Sequence, residues 1–262
     1  MGEPDPREGR FLYGADPAAY DVGRPAYPSR VYELLVAPGG LGPGCRVVEI
    51  GPGTGLVTRQ LLESGGRVTA VEANGQMASY LRANVAAPGL DVVAEAFEDA
   101  VLPVAAFDLA VAATSFHWVP QPAGWDKLRR IVRPGGWVAT WWMLFEDPAS
   151  PDEFSRAAEQ ALGGSPTAAA PGRLPFQIDV ASRRADLEAA GFAGVRAELI
   201  RSAARLDAAQ VRALYATLAI VLRRPAAEQA AVLDRLEHLV ADRFGGHVER
   251  RFLTAIYLGR NP

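Results

Sequence analysis

The run Val47-Val48-Glu49-Ile50-Gly51-Pro52-Gly53-Thr54-Gly55 constrains this chain more than any other: a short apolar strand carrying one acid, then three glycines at alternate positions. Glycines so spaced let the backbone leave a strand, turn sharply and come up against a ligand. They lack the side chain that would forbid the dihedrals or block the approach. A dinucleotide fingerprint puts its third glycine one residue later, where this chain has Leu56. Glu49 narrows the choice further, because a carboxylate beneath the loop repels a pyrophosphate but suits an ammonium. Glu72 ends a second apolar run, Arg67 to Val71, about 20 residues past the first glycine. A nucleotide-binding α/β unit puts there the carboxylate that bonds ribose hydroxyls. An ammonium and a ribose on one ligand point to S-adenosylmethionine.

Around this loop, strand and helix signals alternate. Strands are predicted from about Arg46 to Ile50, Arg67 to Glu72, Leu90 to Ala94, Phe107 to Ala112 and Trp137 to Met143. Helices are predicted over Pro28–Ala37, Gly55–Glu63, Gln76–Val85 and Gly124–Ile131, the last broken at Arg133-Pro134-Gly135-Gly136. The fourth strand is apolar on both faces, as a buried parallel strand should be. This is the spacing of right-handed βαβ units, so the fold class is α/β with a parallel sheet covered on both faces. Beyond Phe145 the alternation stops. Glu146 to Gln177 is rich in Pro, Gly and Ala, with one helical piece near Glu153 to Leu162, and reads as a lid over the site. Arg183–Ala190 reads as a helix, Val195–Arg201 as a strand, Ala208–Leu222 and Pro225–Phe244 as helices, and Arg250–Leu258 as a last strand suited to antiparallel pairing. Residues 1–40 are expected to cover the cofactor and substrate, with the main domain over 41–262, a lid near 146–180 and helices near 207–244.

A chain of 262 residues with 49% hydrophobic content can bury a full core. Its net charge of −3 gives no reason to invoke nucleic acid. One cysteine, Cys45, allows neither an internal disulfide nor a cysteine metal cluster, and no metal is expected. Met1 to Arg10 is polar and lacks the apolar core of a secretion signal, and no stretch is long and apolar enough to span a membrane. A soluble, cytoplasmic protein is expected, as a monomer or homodimer, with a small molecule as its partner.

With loop, second acid and element order in hand, the chain resembles the class I S-adenosylmethionine-dependent methyltransferases. The segments Tyr20 to Pro28, Ser115-Phe116-His117-Trp118-Val119 and Leu128 to Gly136 are similar to a small-molecule branch that includes the trans-aconitate methyltransferases. The resemblance implies a Rossmann-like, doubly wound sheet of seven strands, mostly parallel with the last antiparallel, and helical lid insertions. It implies that Glu49, Gly51, Gly53, Thr54 and Gly55 frame the methionine part of the cofactor, and that Glu72 holds the ribose. Ala73 and Met77 would pack on the adenine. Ala96 and Phe97 would contact its ring and amino group, with Glu95 or Glu98 bonding an adenine nitrogen. Thr114 would face the methionine end, Arg24 would pair with the cofactor carboxylate, and Tyr20 would close over the sulfonium. For Arg24 the competing role is a bridge to Asp21 or Asp16.

Methyl transfer is an in-line displacement that gains most from alignment in a dry pocket. A hydroxyl, ammonium or carbon acid must also lose a proton, and His117, just past the fourth strand, is the candidate general base; its competing role is to brace the loop with Trp118. Tyr13, Trp118, Trp142, Phe145 and Tyr215 are expected to wall the acceptor pocket, although Trp141 and Trp142 face opposite sides of a strand, so at least one packs in the core. Arg173, Arg183 and Arg184 are the cations that a polyanionic acceptor would need. The apolar lid favours instead a small, largely apolar metabolite, of the kind found in secondary metabolism, methylated on O, N or C. The alternatives are a protein of this fold that binds the cofactor but catalyses a pericyclic or isomerising reaction or none, and a nicotinamide oxidoreductase, against which Leu56 and Glu49 both count.

Overall fold

The computed structural model describes residues 10–164 and 173–262. At its centre β1 (Arg46–Ile50) pairs in parallel with β2 (Arg67–Val71) and with β4 (Phe107–Ala113). β3 (Leu90–Val93) continues the sheet beyond β2, and β5 (Val132–Leu144) lies parallel to β4. The last strand, β7 (His247–Arg260), slots antiparallel between β5 and β6 (Ala193–Asp207), giving the order β3-β2-β1-β4-β5-β7-β6. This is the expected seven-stranded, doubly wound sheet with its final strand reversed. The chain builds outward from β1 through β2 to β3, then crosses back to β4. That reversal opens a crevice at the carboxyl ends of β1 and β4, where ligands of open α/β sheets bind.

Side chains alternate along each strand and divide the core between two faces. Val48 and Ile50 of β1 join Phe97, Phe116, Leu128 and Trp142 on one face. Val47 joins Leu35, Leu61, Leu81 and Trp141 on the other. The faces are closed by α2 (Ser29–Val36), α3 (Leu56–Glu63), α4 (Gly75–Asn84), α5 (Ala123–Ile131) and α7 (Val180–Ala189), while α1 (Pro17–Gly23) lies on α4 at the rim. A third apolar cluster lies beyond the sheet edge. There Met143 and Phe252 meet Phe154 of α6 (Glu153–Leu162), Tyr215 of α8 (Ala208–Ala216), Val221 of α9 (Ala219–Leu222) and Leu236 of α10 (Ala226–Arg243). Arg250, fully buried, ties β7 to this cluster: its Nη1 donates to Asp152 Oδ1 at 2.6 Å and Ser155 Oγ at 2.8 Å, and its Nη2 to the Phe145 carbonyl.

Several element boundaries differ from the sequence expectation. Residues 133–136 do not separate a helix from a strand. They bulge out of β5 between Val132, paired with Phe107, and Trp137, paired with Leu109. β6 and β7 run well past the expected ends, because each supplies the other with backbone partners after its apolar pattern has faded. The helix predicted over 208–222 is two helices, parted where Leu218 turns extended and Thr217 Oγ1 bonds back to the Leu214 carbonyl at 2.6 Å. The lid expected near 146–180 includes residues 165–172, and the covering segment includes 1–9; both pieces lie outside the described residues.

Candidate active site

A cleft of about 530 Å³ opens at the crevice. Its floor is the glycine loop, in which Gly51, Gly53 and Gly55 all have left-handed backbone, at φ of 66°, 58° and 92°. They need it for different reasons. A Cβ on Gly51 would meet Ser115 Cβ at 2.6 Å, and one on Gly55 would meet Leu81 Cδ1 at 2.5 Å, so these two allow the loop to pack on β4's exit and on α4. A Cβ on Gly53 would meet nothing, since Gly53 faces the cleft. Gly55 therefore shapes the loop from behind and does not line the cleft.

Glu49 is 1% exposed and has one hydrogen-bond partner among the described residues, Thr58 Oγ1 at 2.6 Å. Burial pushes its carboxyl up to about 8, with nearby Glu72 raising it further against the Thr58 bond. It lies under a narrow extension of the cleft that Thr54, Tyr20, Arg24 and Thr114 also line. Glu72 is buried at the end of β2 and accepts from the backbone N–H of Gly53 and of Asn74, each at 2.9 Å. Desolvation raises its pKa, against those two bonds and Arg10. A carboxylate accepts about four hydrogen bonds, so Glu72 braces the loop and retains capacity toward the cleft it lines.

Ala73, Met77 and Phe97 line the same side, whereas Ala96 lies off the cleft wall. Of the two acids considered there, Glu95 is exposed and Glu98 lines the cleft with a buried Oε2 that has no partner among the described residues. Glu98 Oε1 takes Arg10 Nη1 at 2.7 Å, and the same guanidinium donates to the Trp118 carbonyl. Arg10, in the segment expected to cover the site, thus links two residues of the cleft wall. Lys127 holds the 97–100 turn by donating to the carbonyls of Phe97, Glu98 and Ala100.

Arg24 does not bridge to Asp21 or Asp16. Asp21 pairs with Arg59 at 3.2 Å, and Asp16 caps α1. The Arg24 guanidinium instead lies 4.7 Å from the Tyr20 ring, 4.8 Å from Phe145 and 5.8 Å from Tyr13. Its Nη2 donates to the Thr217 carbonyl at 2.7 Å, and its Nε is buried without a partner among the described residues. Thr114, at the end of β4, has φ of 54°, a strained conformation for a β-branched residue. The Trp141 carbonyl accepts its N–H at 2.7 Å, and its Oγ1 bonds the Tyr27 hydroxyl at 3.0 Å.

His117 lines the cleft with its ring open to the cavity yet walled by protein, which disfavours its charged form and lowers its pKa to about 4. Its Nδ1 accepts from Trp142 Nε1 at 3.0 Å. Tyr13, Trp118 and Phe145 line the cleft as expected. Trp142 and Tyr215 do not. Trp142 is buried against Phe176 and Tyr257 beneath His117, and Tyr215 is buried beside Phe154 and Arg250. Both were expected from aromatic type and chain position alone; the sheet-face core took Trp142 and the cluster beyond the sheet edge took Tyr215. In their place the wall is made by Phe176, Leu218 and Ile220. Arg173 and Arg184 are exposed away from the cleft, and Arg183 stacks on Phe176 at 3.7 Å while pairing with Asp186. The exposed cation at the cleft wall is Arg223, for which the sequence carried no signal beyond its charge. Among the described residues no group of three or more His, Cys, Asp or Glu is placed to hold a metal, and no helix is long and apolar enough to cross a membrane.

Residues 48–140 match the family described as a methyltransferase domain. An uncharacterized methyltransferase of Mycobacterium tuberculosis is 31% identical over 136 residues, which are 52% of this chain and 54% of that protein. The chain thus spans about half the length of the first curated relatives it matches. A second, from Schizosaccharomyces pombe, is 22% identical over 87% of this chain and 86% of its own length. Among solved structures, a protein of Anaeromyxobacter dehalogenans named as a type II methyltransferase superposes with a TM-score of 0.65 at 24% identity, over 91% of this chain and 98% of that one. Phosphoethanolamine N-methyltransferase 2 of Haemonchus contortus, in complex with S-adenosyl-L-methionine, superposes with a TM-score of 0.55 at 12% identity, over 97% of this chain and 57% of that one. Residues 48–140 thus match a methyltransferase domain, and the chain shares its fold with these solved structures.

Proposed function

We propose that the protein transfers a methyl group from S-adenosylmethionine to a small, largely apolar acceptor. The observation that carries this reading is Glu49: a fully buried carboxyl beneath a glycine loop, with one hydroxyl partner and a raised pKa. Such a group is costly to bury unless a ligand brings a cation to it, and the ammonium of the methionine moiety is that cation. The remaining donor set fits the same ligand end to end. Arg24, whose Nε lacks a partner among the described residues, would meet the carboxylate; Glu72 has free lone pairs for ribose hydroxyls; Glu98 Oε2, likewise without a partner there, suits an adenine amino group. Met77 and Phe97 supply apolar contacts for the ring. The cofactor would supply an activated methyl group. The chain supplies alignment and exclusion of water, worth roughly 7 to 11 kcal/mol of barrier when the reacting atoms are well placed.

The apolar wall of Phe145, Phe176, Leu218 and Ile220 supports an acceptor with a sizeable hydrocarbon body. Calorimetry with S-adenosylmethionine, S-adenosylhomocysteine and NAD tests the cofactor: tight binding of the first two and none of the third is expected, and binding of NAD alone would overturn the reading. Release of S-adenosylhomocysteine in the presence of a candidate acceptor separates methyl transfer from cofactor binding without transfer.

A further inference from the structure

His117 has two ring nitrogens, and one is already committed. Trp142 Nε1 donates to His117 Nδ1 at 3.0 Å, and an indole N–H can only donate. A neutral imidazole carries one proton, so a ring that accepts at Nδ1 must hold its proton at Nε2. The Trp142 indole is 3% exposed and wedged between Phe176 and Tyr257, so the donor is fixed in place. With Nδ1 held by Trp142, Nε2 is the nitrogen left without a hydrogen-bond partner among the described residues, on a side chain that lines the cleft. Protonating His117 would bring an Nδ1–H against the indole N–H and break the contact. Desolvation by the protein that walls the cleft disfavours the charged ring as well.

We propose that His117 is a fixed hydrogen-bond donor to the methyl acceptor, not its general base, and that the atom methylated is an oxygen arriving as an anion. The proposal rests on the methyl-transfer reading above for its substrate class; the orientation of the donor does not. An oxygen anion accepts from Nε2–H with one lone pair and attacks with another. A neutral amine has a single lone pair, which the donor would occupy, and a carbon acid must lose a proton that His117 has no free nitrogen to take. The charges lining the cleft agree: its carboxylates, Glu72 and Glu98, lie on the β2–β3 side, and Arg223 stands at the acceptor wall. In the reaction the new oxygen–carbon bond forms as the carbon–sulfur bond breaks. The electron pair stays on sulfur, the sulfonium becomes a neutral thioether, and no proton moves.

The test is ¹⁵N NMR of the histidine side chains in the whole protein at neutral pH, with His117→Gln used to assign the signal. The expected spectrum has His117 protonated at Nε2 and bare at Nδ1. A ring protonated at Nδ1, or at both nitrogens, overturns the proposal. The protein saturated with S-adenosylhomocysteine is then titrated with 1-naphthoate and with 1-naphthylamine, an amine that is neutral at this pH. A shift of the Nε2–H signal with the carboxylate and not with the amine supports the substrate class; an equal shift with the amine, or none with the carboxylate, overturns it. For an acceptor that turns over, His117→Phe should raise KM roughly 10- to 100-fold, the usual span for a lost hydrogen bond to a charged group. His117→Gln, which keeps an N–H donor, should recover most of that loss. Equal losses of kcat in both variants would instead mark a base. Failure of S-adenosylmethionine to bind in calorimetry would remove the methyl-transfer reading while leaving the tautomer result standing.

Discussion

Glu49 and Asp152 are both buried carboxylates, the first under the glycine loop and the second where the lid helix α6 meets the sheet. Asp152 has every neighbour such a group needs. Its Oδ1 takes Arg250 Nη1 and the Ser155 N–H, each at 2.6 Å, and its Oδ2 takes the Arg251 N–H at 3.1 Å. Glu49 has Thr58 and, among the described residues, no cation. One region is complete by itself, so its charges hold the lid to β7. The other is left incomplete by the fold, which keeps its carboxyl protonated well above the usual range until something positive arrives. A buried ion pair with its partners present is a strut, and a buried acid without one marks a ligand.

The sharpest way to break the contrast is at the strut. Asp152→Ala leaves the Arg250 charge buried and alone, which typically costs about 3 to 5 kcal/mol. At about 2 to 4 °C per kcal/mol for a chain of this size, the melting temperature should fall by roughly 10 °C, with cofactor affinity in the surviving fold little changed. An unchanged melting temperature would deny the pair its structural role.

Glu49→Gln should act with the opposite sign. Because the folded carboxyl titrates near 8 and the unfolded one near 4.5, the folded protein holds a proton that the unfolded chain has released. Glu49 therefore weakens the free protein increasingly as pH rises from about 4.5 to 8. The variant should melt roughly 10 °C higher than the parent at pH 8 and much closer to it at pH 5, while S-adenosylmethionine binds at least about tenfold more weakly. In the parent, binding near pH 7 should release a proton from Glu49, seen as a dependence of the calorimetric enthalpy on the buffer's own ionisation enthalpy. A melting curve parallel to the parent's at both pH values would return Glu49 to an ordinary acid.

Glu72→Ala mixes the two roles. It strands the N–H groups of Gly53 and Asn74, for a loss of about 1 to 3 kcal/mol, and should also weaken cofactor binding about tenfold. Unaltered affinity in calorimetry would sink its ribose contact. The smallest effect is expected at Gly53→Ala, which meets no atom but needs a left-handed backbone, costing about 1 to 2 kcal/mol. Thermal melting with and without cofactor checks it, since the methyl projects where the ligand would lie.

Much of the frame was legible because its signals are local. The five parallel strands, the helices between them and the turn at Gly51 to Gly55 follow from period and from residue types a few positions apart. Errors cluster where that locality fails. β6 and β7 sustain each other over thirteen paired positions from Ala193 to Asp207, and neither carries a pattern that announces its length. Tyr215 and Trp142 have the chemistry of a pocket wall, but whether an aromatic ring faces a cavity or a core depends on which helix lies behind it. Arg10 and Arg223 give the converse, two arginines among many that only packing brings to the cleft.

The sequence by itself determined the donor end of this protein: an acid in β1, glycines that free the backbone, and an acid at the end of β2, all within a span short enough that chain geometry sets their relation. Only the tertiary structure decided the rest. The Asp152–Arg250 lock joins residues 98 positions apart, Arg24 found rings instead of a nearby aspartate, and His117 Nδ1 took the indole N–H of Trp142, a partner 25 positions away on the next strand. A hydrogen bond or a burial cost depends on which atoms stand within a few ångströms, and for residues far apart in the chain that is set by packing alone.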